Sequence, residues 1–191
     1  MPHSHCRTSP CKQCKRHRHT KKPLFCCVPG PRGFQGTAGG LLDYAEFYTK
    51  PENPDARPVP VGNSAGVIFS LDGVNANGGY IERVSGNTFS FNRPAIYRIT
   101  WTVPVTREGQ GSTILALQVG GVTQANTMTG LSENTILNTR TVLYRNTTPF
   151  PVTMSICNPY LGGFYAPVFV LQGVDGFPIS STLVIECLAG P

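Results

Sequence analysis

No histidine follows His19 in this chain, and no aspartate or glutamate precedes Asp43. The first absence leaves almost the whole chain without the commonest general base. The second makes the N-terminal stretch purely cationic. Charge of either sign is scarce, at 14% of residues against roughly 25% in soluble domains, which suits packing against copies of itself better than free diffusion. No apolar run approaches the roughly 18–20 residues needed to cross a bilayer, so no membrane partner is expected. The N-terminus has positive charge without the apolar core of a secretory signal, and Pro2, Pro10 and Pro23 break up any transit-peptide helix. The expectation is a particle assembled inside a cell and exposed when the cell lyses.

Catalytic signatures are missing as well. The chain contains no HExxH helix or GxxxxGK[ST] phosphate loop, and although Gly62-Asn63-Ser64-Ala65-Gly66 has GxSxG spacing, it leads into a predicted strand and not into the helix of a nucleophile elbow. Gly33 and Gly36 do not follow a strand and open a helix, so they are no nucleotide loop. Glu82, Glu108 and Glu133 are scattered and read as solvated faces or turn caps. Asn146-Thr147-Thr148 matches a glycosylation sequon, but reads as a strand-end turn in the absence of an export signal. The chain is expected to be no enzyme and to need no cofactor.

What is present divides the 191 residues into an arm at 1–29, a neck at 30–40 and a head at 41–191. Residues 1–42 hold eight Lys and Arg and no acid, whereas residues 43–191 hold eight basic and ten acidic side chains, a balance of −2. The net +6 therefore belongs to the arm, and any anionic partner would be met there. Glycine recurs at every third position in the neck, at Gly30, Gly33, Gly36 and Gly39. Free triple helices need far more triplets, but three chains held by a trimeric head could wind locally; the alternative is a flexible linker.

Five of the seven cysteines lie in the arm, at Cys6, Cys11, Cys14, Cys26 and Cys27, beside all four histidines. Three readings compete. Zinc could take Cys11, Cys14, His17 or His19, and Cys26 around a CxxC nucleus, although the second ligand pair of a zinc ribbon or finger is absent. Cross-links between chains fit the cysteine excess, and the adjacent Cys26 and Cys27 do not bond comfortably to each other; this is the preferred reading. The third is a reduced, solvated tail. The cationic run from Lys12 to Lys22 could neutralise phosphates, but it is short and has no aromatic residue to stack on bases, which argues against nucleic acid. Cys157 and Cys187 sit in apolar strand contexts and read as buried thiols, with an intradomain bridge left open.

From residue 41 the pattern is one of short strands and turns. Strands are predicted at 41–48, 67–71, 80–84, 88–91, 95–103, 112–119, 139–145, 151–157, 168–171 and 181–188. Pro51 to Pro60 reads as a loop, Asp72-Gly73 and Asn77-Gly78-Gly79 as turns. In the clearest strand Tyr97, Ile99, Trp101 and Val103 share one face with Ala95, while Ile96, Arg98, Thr100 and Thr102 share the other. Such spacing without amphipathic helices predicts an all-β sandwich or jelly roll.

Several phrases carry a resemblance. The glycine stub leading into Leu41, Leu42, Asp43 and Tyr44 resembles the entry to the globular head of bacterial collagen-like surface proteins. Phe89 to Val103, with Pro94, Tyr97 and Trp101, resembles a strand of the tumour-necrosis-factor and complement-head jelly rolls. Leu115 to Gly121 resembles the following hairpin of that fold, and Ser181 to Leu188 its closing strand. Across residues 30–190 the chain is similar to the collagen-like exosporium glycoproteins of bacterial spores. That resemblance implies a jelly roll of about ten strands forming a compact trimer, its three N-termini emerging together. The short neck departs from the pattern by excluding a long stalk, and the cysteine-rich arm replaces the usual leader, pointing to covalent or plug-in assembly.

The resulting expectation is a structural, self-assembling trimer of the spore surface, a subunit of an appendage, fibre or exosporium layer. Heads would associate through the aromatic strand of Tyr97, Ile99, Trp101 and Val103. The neck glycines would let three chains approach closely. The arm cysteines would lock the contact with a neighbouring trimer or with a spore coat or exosporium anchor protein. The competing class is a virion protein, a capsid or decoration jelly roll whose basic arm touches genome or an inner shell.

Overall fold

The alternation that begins at Ala95 runs on to Thr106, in one long strand around which the head is built. In the computed structural model, Ala95, Tyr97, Ile99, Trp101 and Val103 are each 0% exposed on one side of that strand. The structure describes residues 40–51, 57–75, 78–106, 112–130, 135–159, 166–174, 177–178 and 180–189, all within the unit Gly39–Pro191. The arm cysteines and histidines, with Gly30, Gly33, Gly36 and Gly39, lie outside the described residues.

Among the described residues the strands are, in chain order, β1 (Asp43–Thr49), β2 (Val59–Val61), β3 (Leu71–Asn75), β4 (Ile81–Ser85), β5 (Thr88–Phe91), β6 (Ala95–Thr106) and β7 (Ala116–Val119). There follow β8 (Val122–Thr123), β9 (Thr135–Asn146), β10 (Val152–Cys157), β11 (Val168–Val170), β12 (Gly173–Val174), β13 (Phe177–Pro178) and β14 (Ser181–Ala189). The pairings are nested and antiparallel: β1 with β14, β5 with β10, β6 with β9, and β7 with β8. Successive nested pairs fall alternately on a seven-stranded sheet, β2-β11-β6-β14-β1-β3 with β9 beside β6, and a five-stranded sheet, β4-β5-β10-β7-β8. A ribbon of antiparallel pairs wound alternately across two sheets is a jelly roll. The head is therefore the all-β sandwich that its spacing predicts.

The inward faces of the two sheets meet in an aromatic core. Phe91 stacks on Tyr97 with centroids 4.2 Å apart, and Phe47 lies 4.3 Å from Phe89. Side chains of this size contribute about 1.5–3 kcal/mol each on full burial, so a core containing Phe69, Trp101, Met154 and Leu183 as well needs no covalent staple. Trp101 carries the only indole of the chain. Its N–H donates to Asn138 Oδ1 at 3.1 Å, and the Asn138 amide donates to the carbonyls of Thr113 and Thr129, both at 2.7 Å.

Several expectations need correction. Pro60 is not in a loop but in β2; three residues at a sheet edge tolerate a proline because one side of the strand asks for no donor. Asp72 and Gly73 do not turn the chain but lie inside β3, where the register against β1 shifts between Ala45 and Phe47. A Cβ on Gly73 would sit 2.9 Å from Glu46 Oε2, so glycine serves a bulge here and not a turn. The glycine pair after β7 does turn the chain: Gly120 and Gly121 have φ of 57° and 79° and join β7 to β8 as a two-residue hairpin. Cys157 and Cys187 are buried on different sheets and both are free.

Candidate assembly face

Tyr97, Ile99, Trp101 and Val103 cannot meet another chain, because all four are 0% exposed inside the sandwich. Their strand alternation places the opposite side chains outside, and it is this outer face of the large sheet that a second copy can touch. Strand register builds the face in rows. Leu143, Arg98, Glu186 and Tyr44 form one row across β9, β6, β14 and β1. Thr141, Thr100, Val184 and Glu46 form the next, and Thr139, Thr102, Thr182 and Tyr48 a third.

Threonine dominates for a physical reason. Its β-branched side chain fits a pleated surface, while its hydroxyl both donates and accepts. Thr100 and Thr141 lie 3.0 Å apart through their hydroxyls, and Thr139 donates to Thr102 at 3.2 Å. The charges on the face are largely internal to it. Arg98 grips Glu186 with both arms of its guanidinium at 2.5 Å, and the bond to Glu186 raises the Arg98 pKa further above its ordinary value. Beside it the Tyr44 phenol is raised too, by burial first and then by the Glu46 and Glu186 carboxylates. Leu137 and Leu143 stand 61% and 68% exposed on β9, which pairs only with β6 among the described strands. A surface of hydroxyls, exposed leucines and an internally paired Arg98 and Glu186 is cheaper to desolvate than one of free charges and can be matched by a second sheet. A long exposed edge strand is also an invitation to association.

The entrance to β1 holds a residue that the sequence analysis did not single out. Asp43 is 1% exposed, and its carboxylate accepts the N–H groups of Tyr44 and Gly78 at 2.9 Å, Tyr80 at 2.8 Å and Ile81 at 3.2 Å. It clamps the first residue of β1 to the segment leading into β4. The available signal was its place in the alternation: Asp43, Ala45 and Phe47 share the buried face of β1, and a carboxylate is retained inside only when it is hydrogen-bonded. The burial of Tyr97 raises its phenol far above the ordinary range, and its hydroxyl donates to the Arg93 carbonyl at 2.8 Å.

Arg83 is the other conspicuous charge. It bonds to Asp72 at 2.6 Å, to the Leu71 carbonyl at 2.7 Å and to the Phe69 carbonyl, with its guanidinium 4.8 Å from the Phe47 ring centre. Those donors are spent on fastening β3 to β4. No cluster of three metal-ligating side chains occurs among the described residues; the zinc candidates of the arm lie outside them.

No protein-family model matches the chain, and no characterised protein matches it in sequence. Solved structures similar to it include pika GITRL, at 12% identity and a TM-score of 0.43, covering 78% of this chain and 98% of that one. The globular domain of the zebrafish complement 1qA protein gives 10% identity, a TM-score of 0.47 and coverage of 78% and 98%. The PRD1 vertex protein P5 gives 13%, 0.41, and coverage of 79% and 99%. At such identities the likeness concerns the fold alone, and the nested strand order carries the jelly-roll assignment without it.

Proposed function

We propose that the chain is a structural, self-assembling surface protein, the trimeric subunit of a bacterial spore appendage, fibre or exosporium layer. The observation behind this is the outer face of the large sheet, threonine-rich and with Arg98 and Glu186 paired within it, on the same chain as an arm that gathers five cysteines. In this reading Thr100, Thr102, Thr139, Thr141 and Leu143 meet their equivalents in neighbouring heads. The neck glycines then admit three chains side by side. Cys6, Cys11, Cys14, Cys26 and Cys27 couple one trimer to the next or to an anchor protein. Each disulfide constrains the dissociated chain, by about 2–4 kcal/mol within a single chain. Between trimers the larger consequence is a fibre that persists in heat and detergent until it is reduced.

A gel of full-length protein, boiled in detergent with and without reductant beside an alkylated control, tests the coupling. A ladder that collapses on reduction is expected; a monomer in both lanes overturns cross-linking. Light scattering of the reduced protein tests the trimer, and a monomer there overturns the face. The basic arm ahead of a jelly roll also suits a virion subunit. Salt separates the two, since phosphate binding weakens steeply with ionic strength whereas disulfide coupling answers to reductant.

A further inference from the structure

β1 has its first residue at one end of the large sheet, and a groove opens beside its last. β1 begins at Asp43, beside the neck, and ends at Thr49, about 20 Å away at strand rise. Thr49 lines a cavity of about 370 Å³, within the size range of ligand pockets. Its walls are mainly aliphatic, with Val59, Pro60, Val61, Val67, Ile68 and Val170 outweighing Asn87 and Gln172. Two of these are rim residues left in water, Val59 at 43% and Ile68 at 56% exposure. Pro60 in β2 lacks an N–H to offer, which blunts the edge against strand addition. The groove is thus suited to side chains and not to an extra strand.

The arm supplies those side chains. Leu24 and Phe25 are the only adjacent pair of large aliphatic or aromatic residues in residues 1–39. They follow Lys21 and Lys22, and the head they would meet carries a balance of −2. From Leu24 to Gly40 the extended chain spans at most about 50–55 Å, enough to cross a contact between heads. The chain enters β1 at the end opposite the groove, so a contact between the arm of one copy and the groove of the next repeats without using itself up. Heterologous contacts of this kind propagate into rings or filaments.

We infer that the apolar groove beside β2 receives Leu24 and Phe25 from the arm of a neighbouring copy, joining heads pole to pole. This rests on the self-assembly proposed above and adds its axial contact. The test uses full-length, reduced protein carrying a benzophenone side chain at position 25, prepared as a mixture of ¹⁴N and ¹⁵N chains. Irradiation should give hybrid-mass peptides joining residue 25 to the stretch 57–75. Ile68→Arg, a change at an exposed site, should lower their yield about tenfold while leaving the melting temperature of the head unaltered. Cross-links of single isotopic mass, showing an arm folded onto its own head, overturn the inference, as do cross-links that map elsewhere. If either result accompanies an intact reducible ladder in the unmodified protein, the assembly proposal stands and only the groove contact falls. A protein that forms no multimers under any condition overturns both.

Discussion

Asp43→Ala offers the sharpest test of how the start of β1 is fastened to the rest of the head. The carboxylate is 1% exposed and accepts three bonds from the Gly78–Ile81 segment besides that from Tyr44. Bonds to an ionised group are each worth about 1.5–3 kcal/mol. Gly78 lies at the surface and can rehydrate, whereas Ile81 is 4% exposed and cannot. Discounting the surface bond and the local one leaves about 3–5 kcal/mol, a large part of a typical total stability of about 5–15 kcal/mol. For a domain of this size each kcal/mol is worth about 2–4 °C, so a fall of about 12 °C in melting temperature is expected. Asp43→Asn keeps one oxygen for the donors but turns an NH2 towards the others, and should lose about half as much. Gly78→Ala should act in the same direction, because a Cβ there would lie 2.8 Å from the Leu42 carbonyl oxygen and from Asp43 Cγ. Melting should be followed in reductant at fixed protein concentration, since association shifts apparent stability. An Asp43→Ala protein that melts within about 2 °C of the parent would refute the reasoning, because that shift corresponds to no more than about 1 kcal/mol.

Four further outcomes are expected. Asn138→Leu strands the Trp101 N–H and removes the amide bonds to the carbonyls of Thr113 and Thr129, the second of which keeps the Leu115 N–H, costing about 1–3 kcal/mol; tryptophan fluorescence during urea unfolding would show it, and an unchanged midpoint would contradict it. Gly121→Val should cost about 1–2 kcal/mol through backbone conformation alone, since φ is 79° and nothing lies within 4 Å of a Cβ; equal stability would mean that the hairpin relaxes. Arg98→Glu faces Glu186 and should dissociate the assembly in light scattering, while the lost ion pair and the two opposed carboxylates cost the head itself about 1 kcal/mol; retained trimers would remove this face from the interface. Burial, aided by Asp43, raises the Cys187 thiol from its ordinary 9.0 to about 11. The unfolded thiol releases its proton first, so this group's contribution to stability is intact below pH 9 and is lost as pH climbs to about 11. Alkylation at pH 8 should accordingly reach Cys187 only after unfolding; rapid labelling of the native head would contradict its burial.

Much of the head was legible in the order of its residues because a half-buried strand writes its two faces as alternation. Residues 95–103 show this best: every apolar position assigned to one face is at 0% exposure. The hairpin at Gly120-Gly121 was expected from the resemblance of Leu115 to Gly121, and its physical reason is local, since glycine accepts left-handed backbone freely at consecutive positions. Asp72-Gly73 misled because its turn chemistry is local while its conformation is set by β1: pairing with Phe47 and Ala45 drew both residues into a bulged edge strand. Pro60 misled in the opposite sense, a residue poor in strands that is harmless on an edge.

The candidate face was beyond the reach of alternation. Periodicity separates the two sides of a strand but does not say which neighbours those sides acquire, so Arg98 and Glu186, 88 residues apart, became partners only when β14 closed against β6. The same closure placed Tyr97 and Trp101 between the sheets and left the threonines outside, so the proposed contact surface lies on the opposite face from the one first expected. Fold class, charge segregation and the clustering of cysteines belong to the sequence alone, because each depends on composition or short-range order. The clamp at Asp43, the threonine rows and the groove at the far pole belong to the tertiary structure, because each is made by residues that chain order keeps apart and strand pairing brings together.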